Sequence, residues 1–240
     1  SISYEDKGIT KNEKLLTINA NYISNIKMTY YYDYHDLELP IAWKNKNENY
    51  WFHYFNQDKV LYFQYNKCKD RLLKSFSYFC DKFFVSLSTN EVRAVIIDVR
   101  FNTGGNANLF TSLFFPKLKS YKQNHDLDIY TIIGRRTFSA GLRVALDMKK
   151  EFDSILIGKP TGNKPNHYAG QDRFTLPNSK LIINYSTRFY KMLDRDTITL
   201  SPDIPVAIVS NDIISGKDRF LEKAFQLIND SNSNMTRDFY

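Results

Sequence analysis

The chain has 240 residues, 42% of them hydrophobic and 15% aromatic, enough for one large domain or two small ones with a filled core. Its net charge of +7 comes from 33 basic residues scattered among 26 acidic ones, which argues against the clustered basic stripe that nucleic acid requires. No apolar run approaches the roughly 18 residues of a membrane helix, and residues 1–20 lack the apolar segment of a signal peptide. The opening at Ser1 rather than methionine is the pattern of a processed or trimmed chain.

Residues 14–66 alternate short runs of β-formers with polar turns. Leu15–Ile18, Tyr50–Phe55 and Val60–Tyr65 read as strands, the last two joined as a hairpin by Asn56-Gln57-Asp58. The aromatics Tyr50, Trp51, Phe52, Tyr54 and Phe55 read as core or cross-strand pairs rather than as a stacking platform for sugars or bases. Tyr30–His35 reads as an exposed edge or a loop beside a cleft. Cys68 and Cys80 lack CxxC spacing and read as buried free thiols.

From residue 71 the period changes. Leu72, Leu73, Phe76, Phe79, Cys80, Phe83, Phe84 and Leu87 recur at helical spacing, and Ala94–Val99 is a nearly continuous apolar run of the kind buried on both faces of a sheet. Phe101–Asn106 is a turn, Ala107–Phe115 a helix stopped by Pro116, Ile129–Ile133 a strand, Ala140–Lys150 a helix and Ser154–Gly158 a strand. This alternation predicts an α/β fold with crossover units and helices layered on a sheet. Arg173–Leu176, Lys180–Asn184 and Ile198–Leu200 return to strand character, and Lys217–Ile228 makes an amphipathic helix. The expected organisation is a strand-rich N-terminal region over 1–57, an α/β core over 58–230 and a frayed tail over 231–240, with neither repeat nor linker.

The chemistry gathers at two turns. Acyl transfer by a serine needs a nucleophile, a base, and donors aimed at the oxygen that becomes negative. Ser139 stands at a strand-to-helix junction, where its hydroxyl can stand free of the sheet and the Ala140 amide opens the helix. Gly104-Gly105 follows a buried strand and can bring backbone close to a substrate without a Cβ in the way. Singly, each has an ordinary reading: Ser139 as a helix N-cap, the glycines as a tight turn. Lys164 lies 25 positions after Ser139 in the loop that follows Ser154–Gly158; a lysine there is ordinarily solvated, but a desolvated one can serve as a base. The histidines at 35, 53, 125 and 167 show no metal-site spacing, and no GxxxxGK[ST] phosphate loop occurs, so neither metal nor nucleotide cofactor is expected.

Together the segments Val95-Ile96-Ile97-Asp98-Val99-Arg100-Phe101-Asn102-Thr103-Gly104-Gly105, Thr137-Phe138-Ser139-Ala140 and Leu200-Ser201-Pro202-Asp203-Ile204-Pro205-Val206 resemble the "IDLRxNxGG", "TxSA" and "PDxxV" motifs of the S41 peptidases, the tail-specific or C-terminal processing proteases. The resemblance covers roughly residues 58–206 and implies a ClpP/crotonase-like core. It implies a serine endopeptidase acting on a peptide or protein through an acyl-enzyme, with Ser139 as nucleophile, Lys164 as base, and Gly104 or Gly105 with Ala140 as the oxyanion hole. Family habit implies an extracytoplasmic or cell-envelope location.

Two features depart from the family pattern: no PDZ-like segment is found ahead of the core, and Tyr168 stands where a glutamine often orients the lysine. The run from Gly158 to Tyr168 resembles a PDZ-less subgroup. His167 is a rival base, since tricorn-type relatives use histidine, and Asp98, Asp172 or Asp203 is its candidate orienting partner. A family member that has lost hydrolysis and binds a peptide or apolar ligand in the same cleft is the alternative reading, and oligomeric state is left open.

Overall fold

The computed structural model describes residues 2–6, 9–13, 39–209, 211–212 and 215–235. The readings of Leu15–Ile18 and Tyr30–His35, and of the last five residues of the tail, lie outside these described residues. The chain divides into a unit over Ser1–Leu37 and a unit over Glu38–Tyr240. In the first, β1 (Ile2–Asp6) pairs antiparallel with β2 (Ile9–Glu13).

The second unit begins with a short helix α1 (Ile41–Lys44) and the hairpin β3 (Tyr50–Phe55) and β4 (Val60–Tyr65), as the alternation predicts. This hairpin spans the expected 57/58 boundary, because β3 closes one edge of the main sheet rather than belonging to a separate N-terminal region. After it come α2 (Phe76–Thr89) and β5 (Ala94–Asp98), then a π-helical turn over Phe110–Phe114 running into α3 (Phe115–Asn124). They are followed by β6 (Asp128–Ile133), α4 (Ala140–Phe152) and β7 (Ile155–Gly158). A hairpin of β8 (His167–Thr175) and β9 (Ile182–Tyr190), then β10 (Ile204–Pro205) and α5 (Arg219–Met235), complete it.

The sheet order is β10-β7-β6-β5-β4-β3, parallel throughout except for the antiparallel edge β3. Strand alternation divides the apolar residues between two cores. Leu61, Phe63, Tyr65, Val95, Ile97, Val99, Ile129 and Ile133 face the layer of α2, α3 and α4. Val60, Tyr62, Ala94, Ile96, Tyr130, Ile132 and Ile157 face α5 through Phe220, Leu221, Ala224 and Ile228. Phe63 centres the first core, its ring 4.7 Å from Phe79 and 4.9 Å from Phe114. Both cysteines are free and buried there. Burial pushes the Cys80 thiol up to about 12 and raises that of Cys68.

Four boundaries differ from the sequence reading, each for a local reason. Leu72 and Leu73 are fully exposed ahead of α2, because the Ser75 hydroxyl caps Tyr78 N–H and the Asp70 carboxylate accepts from Phe76 N–H at 2.7 Å, fixing the helix start. Pro116 does not stop its helix; the π turn donates Phe115 N–H to the Phe110 carbonyl, five residues back, and the missing proline N–H falls at the start of α3. Ile198–Leu200 joins no sheet, since Leu200 spends both backbone groups on Thr161. The last helix continues through residue 235 rather than fraying from 231.

At the carboxyl end of β5 the chain turns on a buried charge group. Arg100 Nη1 donates to Asp218 Oδ1 at 2.7 Å, and Tyr62 Oη donates to Asp98 Oδ2 at 2.6 Å. Arg100 Nε lies 2.7 Å from that same Oδ2 without forming an aligned hydrogen bond, so the attraction there is Coulombic. Burial pushes the Asp98 carboxyl up, and the Arg100 charge pulls against it. For Arg100 burial disfavours the cation, and Asp98 with Asp218 more than offset it. Removing one partner of such a group leaves buried charge uncompensated. Arg100→Met is therefore expected to lower unfolding stability by about 3–5 kcal/mol, measured as a reduced urea midpoint.

Candidate functional site

The serine turn is built by hydrogen bonds that run across the strand ends. Thr137, fully buried, donates its hydroxyl to the Val99 carbonyl and accepts from Gly134 N–H, both at 2.9 Å. Phe138 N–H donates to the Asn102 carbonyl at 2.9 Å. These bonds hold Ser139 at φ 51°, ψ −119°, a left-handed backbone rarely adopted by a residue with a Cβ. Such a conformation costs on the order of 1–3 kcal/mol and persists only where its surroundings enforce it. Ser139 occupies the N-cap position of α4, yet its hydroxyl caps nothing. The helix-cap reading therefore does not describe what this side chain does.

The glycine turn sits against that serine. A Cβ on Gly104, which has φ +102°, would lie 2.8 Å from Ser139 Cβ and 3.2 Å from its Oγ. One on Gly105, at φ +129°, would overlap the Cys68 carbonyl carbon and oxygen. Only glycine admits both approaches. Gly104 N–H is already donated to Asn102 Oδ1 at 2.9 Å, whereas no described acceptor takes the Gly105 or Ala140 amide. Those two amides are the ones available to an oxyanion.

Asn102 joins the parts. Fully buried, it donates Nδ2–H to the Tyr65 carbonyl at 2.8 Å, while its Oδ1 accepts from Gly104 N–H and from Cys68 Sγ–H at 3.5 Å. Gly141 packs so closely on it that a Cβ there would meet Asn102 atoms at 2.8 Å. Asn102 and Thr137 lie inside the motifs quoted from the sequence, but residue spacing gave neither a role; a buried polar residue inside a turn motif was the available signal.

The loop carrying Lys164 is tied to the same turn, Gly162 N–H donating to the Thr137 carbonyl at 3.2 Å. Thr161 and Asn166 shape it: Thr161 bonds Leu200, and Asn166 Oδ1 accepts from Met192 and Leu193 N–H at 2.9 Å each. The Lys164 side chain is half-exposed, and its Nζ donates to Asp196 Oδ2 at 2.9 Å. Half-buried His167 directs Nδ1 to the Pro165 carbonyl at 3.0 Å and stacks on Tyr190. Tyr168 is exposed and faces Phe189 across the β8–β9 hairpin. None of Lys164, His167 and Tyr168 is hydrogen-bonded to Ser139 or to one another. The candidate orienting acids are engaged elsewhere: Asp98 with Tyr62 and Arg100, Asp172 with Tyr185, and Asp203 with Lys149 and the Leu156 amide.

A mostly parallel sheet covered on both faces by helices, carrying a strained serine against a glycine turn, defines a ClpP/crotonase-like α/β core. The chain belongs to peptidase family S41, whose model matches residues 59–206, more than half of its length. Solved structures share the fold. A candidate peptidase from Parabacteroides merdae is 19% identical with a TM-score of 0.56, the match covering 82% of this chain and 67% of that one. A candidate S41 protease from Bacteroides fragilis is 19% identical at a TM-score of 0.52, over 75% and 57% of the two chains. Mature CPAF complexed with lactacystin is 14% identical at 0.50, over 88% and 63%. The chain thus spans between about half and two thirds of the length of these structures. No curated protein matches it.

Asn102→Ala removes the partners of Gly104 N–H and the Tyr65 carbonyl together. The expected loss is about 1–3 kcal/mol for each buried group left unpaired, seen as a lower thermal midpoint. Gly104→Ala is expected to lower stability, because its Cβ would fall on Ser139 and its φ of +102° is strained for any residue with a Cβ; a reduced thermal midpoint checks it.

Proposed function

We propose that this S41 family member is a serine peptidase in which Ser139 attacks the substrate carbonyl and the amides of Gly105 and Ala140 receive the oxyanion. The observation that carries the reading is the backbone of Ser139: a non-glycine residue held in a left-handed conformation, its hydroxyl unused by its own helix and set against a glycine that no larger residue could replace. Strain of this kind gathers at reactive turns where a helix N-terminus supports developing negative charge. Gly104 then positions the turn rather than supplying a donor, its N–H being held by Asn102.

Lys164 is the proposed base. It leaves Asp196 to reach Ser139, and releasing an exposed pair of this type costs only about 0–1 kcal/mol. The bond from Gly162 to Thr137 brings the lysine loop and the serine turn together, with one residue between that link and each functional side chain. His167 is the competing base, and its Nδ1 contact with Pro165 leaves Nε2 as the nitrogen free for the task. A peptide or protein is the substrate class, and an extracytoplasmic or envelope location belongs to the same proposal, tested by cell fractionation.

A second reading is favoured by one observation: Lys164 is paired with Asp196, and no base is bonded to Ser139. On that reading the cleft binds a peptide or apolar ligand without cleaving it. A fluorophosphonate probe separates the two. Labelling that Ser139→Ala abolishes is the expected result, and absence of labelling on folded protein across a pH range would favour the binding role. Among base variants, the true base is expected to reduce the labelling rate by about 10²–10⁴-fold with the fold intact by circular dichroism, so Lys164→Ala and His167→Ala are compared directly. Asp196→Asn is expected to raise the rate by roughly fivefold or less, the equivalent of the released ion pair, and to leave it unchanged if His167 is the base.

A further inference from the structure

Beside the serine turn, at the carboxyl ends of β5, β6 and β7, lies a cavity of about 190 Å³. Four cations line it: Arg100 after β5, Arg135 and Arg136 after β6, and Lys159 after β7. Its remaining walls are largely aromatic, from Trp43, Phe101 and Phe220. No acidic side chain lines it. Among the described residues none forms an ion pair with Arg135, Arg136 or Lys159, and Arg136 rests instead over the Phe101 ring, 6.0 Å from its centroid.

Arg100, the buried member, is 6% exposed and already balanced by Asp98 and Asp218, so the charges left to a ligand are those of Arg135, Arg136 and Lys159. The Lys46 ammonium is held below the ordinary lysine value, mainly by burial and further by the Arg136 charge.

We propose that this cavity is a specificity subsite that receives the side-chain carboxylate of an acidic substrate residue. The aromatic walls suit the methylene stem of a glutamate, and the guanidinium groups suit its carboxylate, which a fork of N–H donors binds in bidentate fashion. The position relative to the scissile bond rests on reading Ser139 as the point of attack. Arg136 precedes Ser139 by three residues, so their Cα atoms are at most about 11 Å apart, and those of Arg135 and Ser139 at most about 14 Å. An extended substrate advances about 3.3 Å per residue, which places the acidic residue within about four positions of the bond attacked.

The test is binding rather than turnover, on the full chain carrying Ser139→Ala, by isothermal titration calorimetry. Three N-acetylated tetrapeptides serve as probes: Ala-Ala-Glu-Ala amide, Ala-Ala-Gln-Ala amide, and tetra-alanine with a free carboxylate. The glutamate peptide is expected to bind about tenfold or more tightly than the glutamine peptide. That preference is expected to fall below about threefold in the Arg135→Gln, Arg136→Gln double variant, in Lys159→Gln to a lesser degree, and in high salt. Equal affinity for the two amides, no measurable binding of either, or discrimination confined to the free terminal carboxylate overturns the proposal. So does a preference that survives the double variant with its fold intact by circular dichroism. Because no step depends on hydrolysis, a protein that fails fluorophosphonate labelling yet shows the glutamate preference refutes the peptidase reading and leaves the subsite standing.

Discussion

The glycine turn against which Ser139 sits depends on one buried residue, which holds the glycine turn and the β4 end by its carboxamide and the serine turn by its backbone carbonyl. Asn102 has donors and acceptors to give in three directions, and each is used: Tyr65 at the end of β4, Gly104 in the glycine turn, and Phe138 through the backbone ahead of Ser139. A buried polar side chain costs free energy unless its bonds are met, and once met it fixes relative position more tightly than apolar contact can. The strand end, the glycine turn and the serine turn are therefore set by a single residue. A charged or apolar replacement of similar size breaks at least one of the three.

The two faces of the sheet divide the work. On the α2–α4 side, aromatic packing around Phe63 supplies a dense core beneath the serine turn. On the α5 side, Tyr62, Asp98, Arg100 and Asp218 form a buried charge group that links β5 to the last helix. Burial of ions is weak evidence for stability, since desolvation offsets much of the attraction. Its clearer effect here is positional: Arg100 is fixed where the chain leaves β5, two residues before Asn102. The strained Ser139 backbone is thus held between a rigid apolar layer and a polar clamp, which is the setting in which an unfavourable φ can persist.

Much of the core was legible in the sequence because its signals are local. The runs at β4, β5, β6 and β7 announce buried strands, and the glycine pair and the serine junction announce turns with special backbone needs. What escaped were features decided by bonds between distant residues. Pro116 reads as a stop, and only the π turn that bonds Phe115 to Phe110 shows how the helix passes it. Leu72 and Leu73 fit the helical period, but Asp70 and Ser75 claim the helix start. Gly104 and Gly105 looked equivalent as donors until Asn102 was seen to occupy one of them. The partner of Lys164 was equally hidden, because Asp196 lies 32 positions along the chain and marks no motif.

The two buried thiols give the chain a pair of internal clocks. Thiolate is the species that reacts with alkylating reagents, and burial keeps both Cys68 and Cys80 protonated as well as shielded. Modification of either must wait for a local opening, so its rate counts how often that neighbourhood comes apart. Cys68 backs directly on Gly105 and touches Asn102, while Cys80 lies within α2. Alkylation of the first times the loosening of the glycine turn, and alkylation of the second times the loosening of the helical layer. A ligand that settles at the serine turn slows the first clock and leaves the second running, a readout of occupancy that needs no turnover.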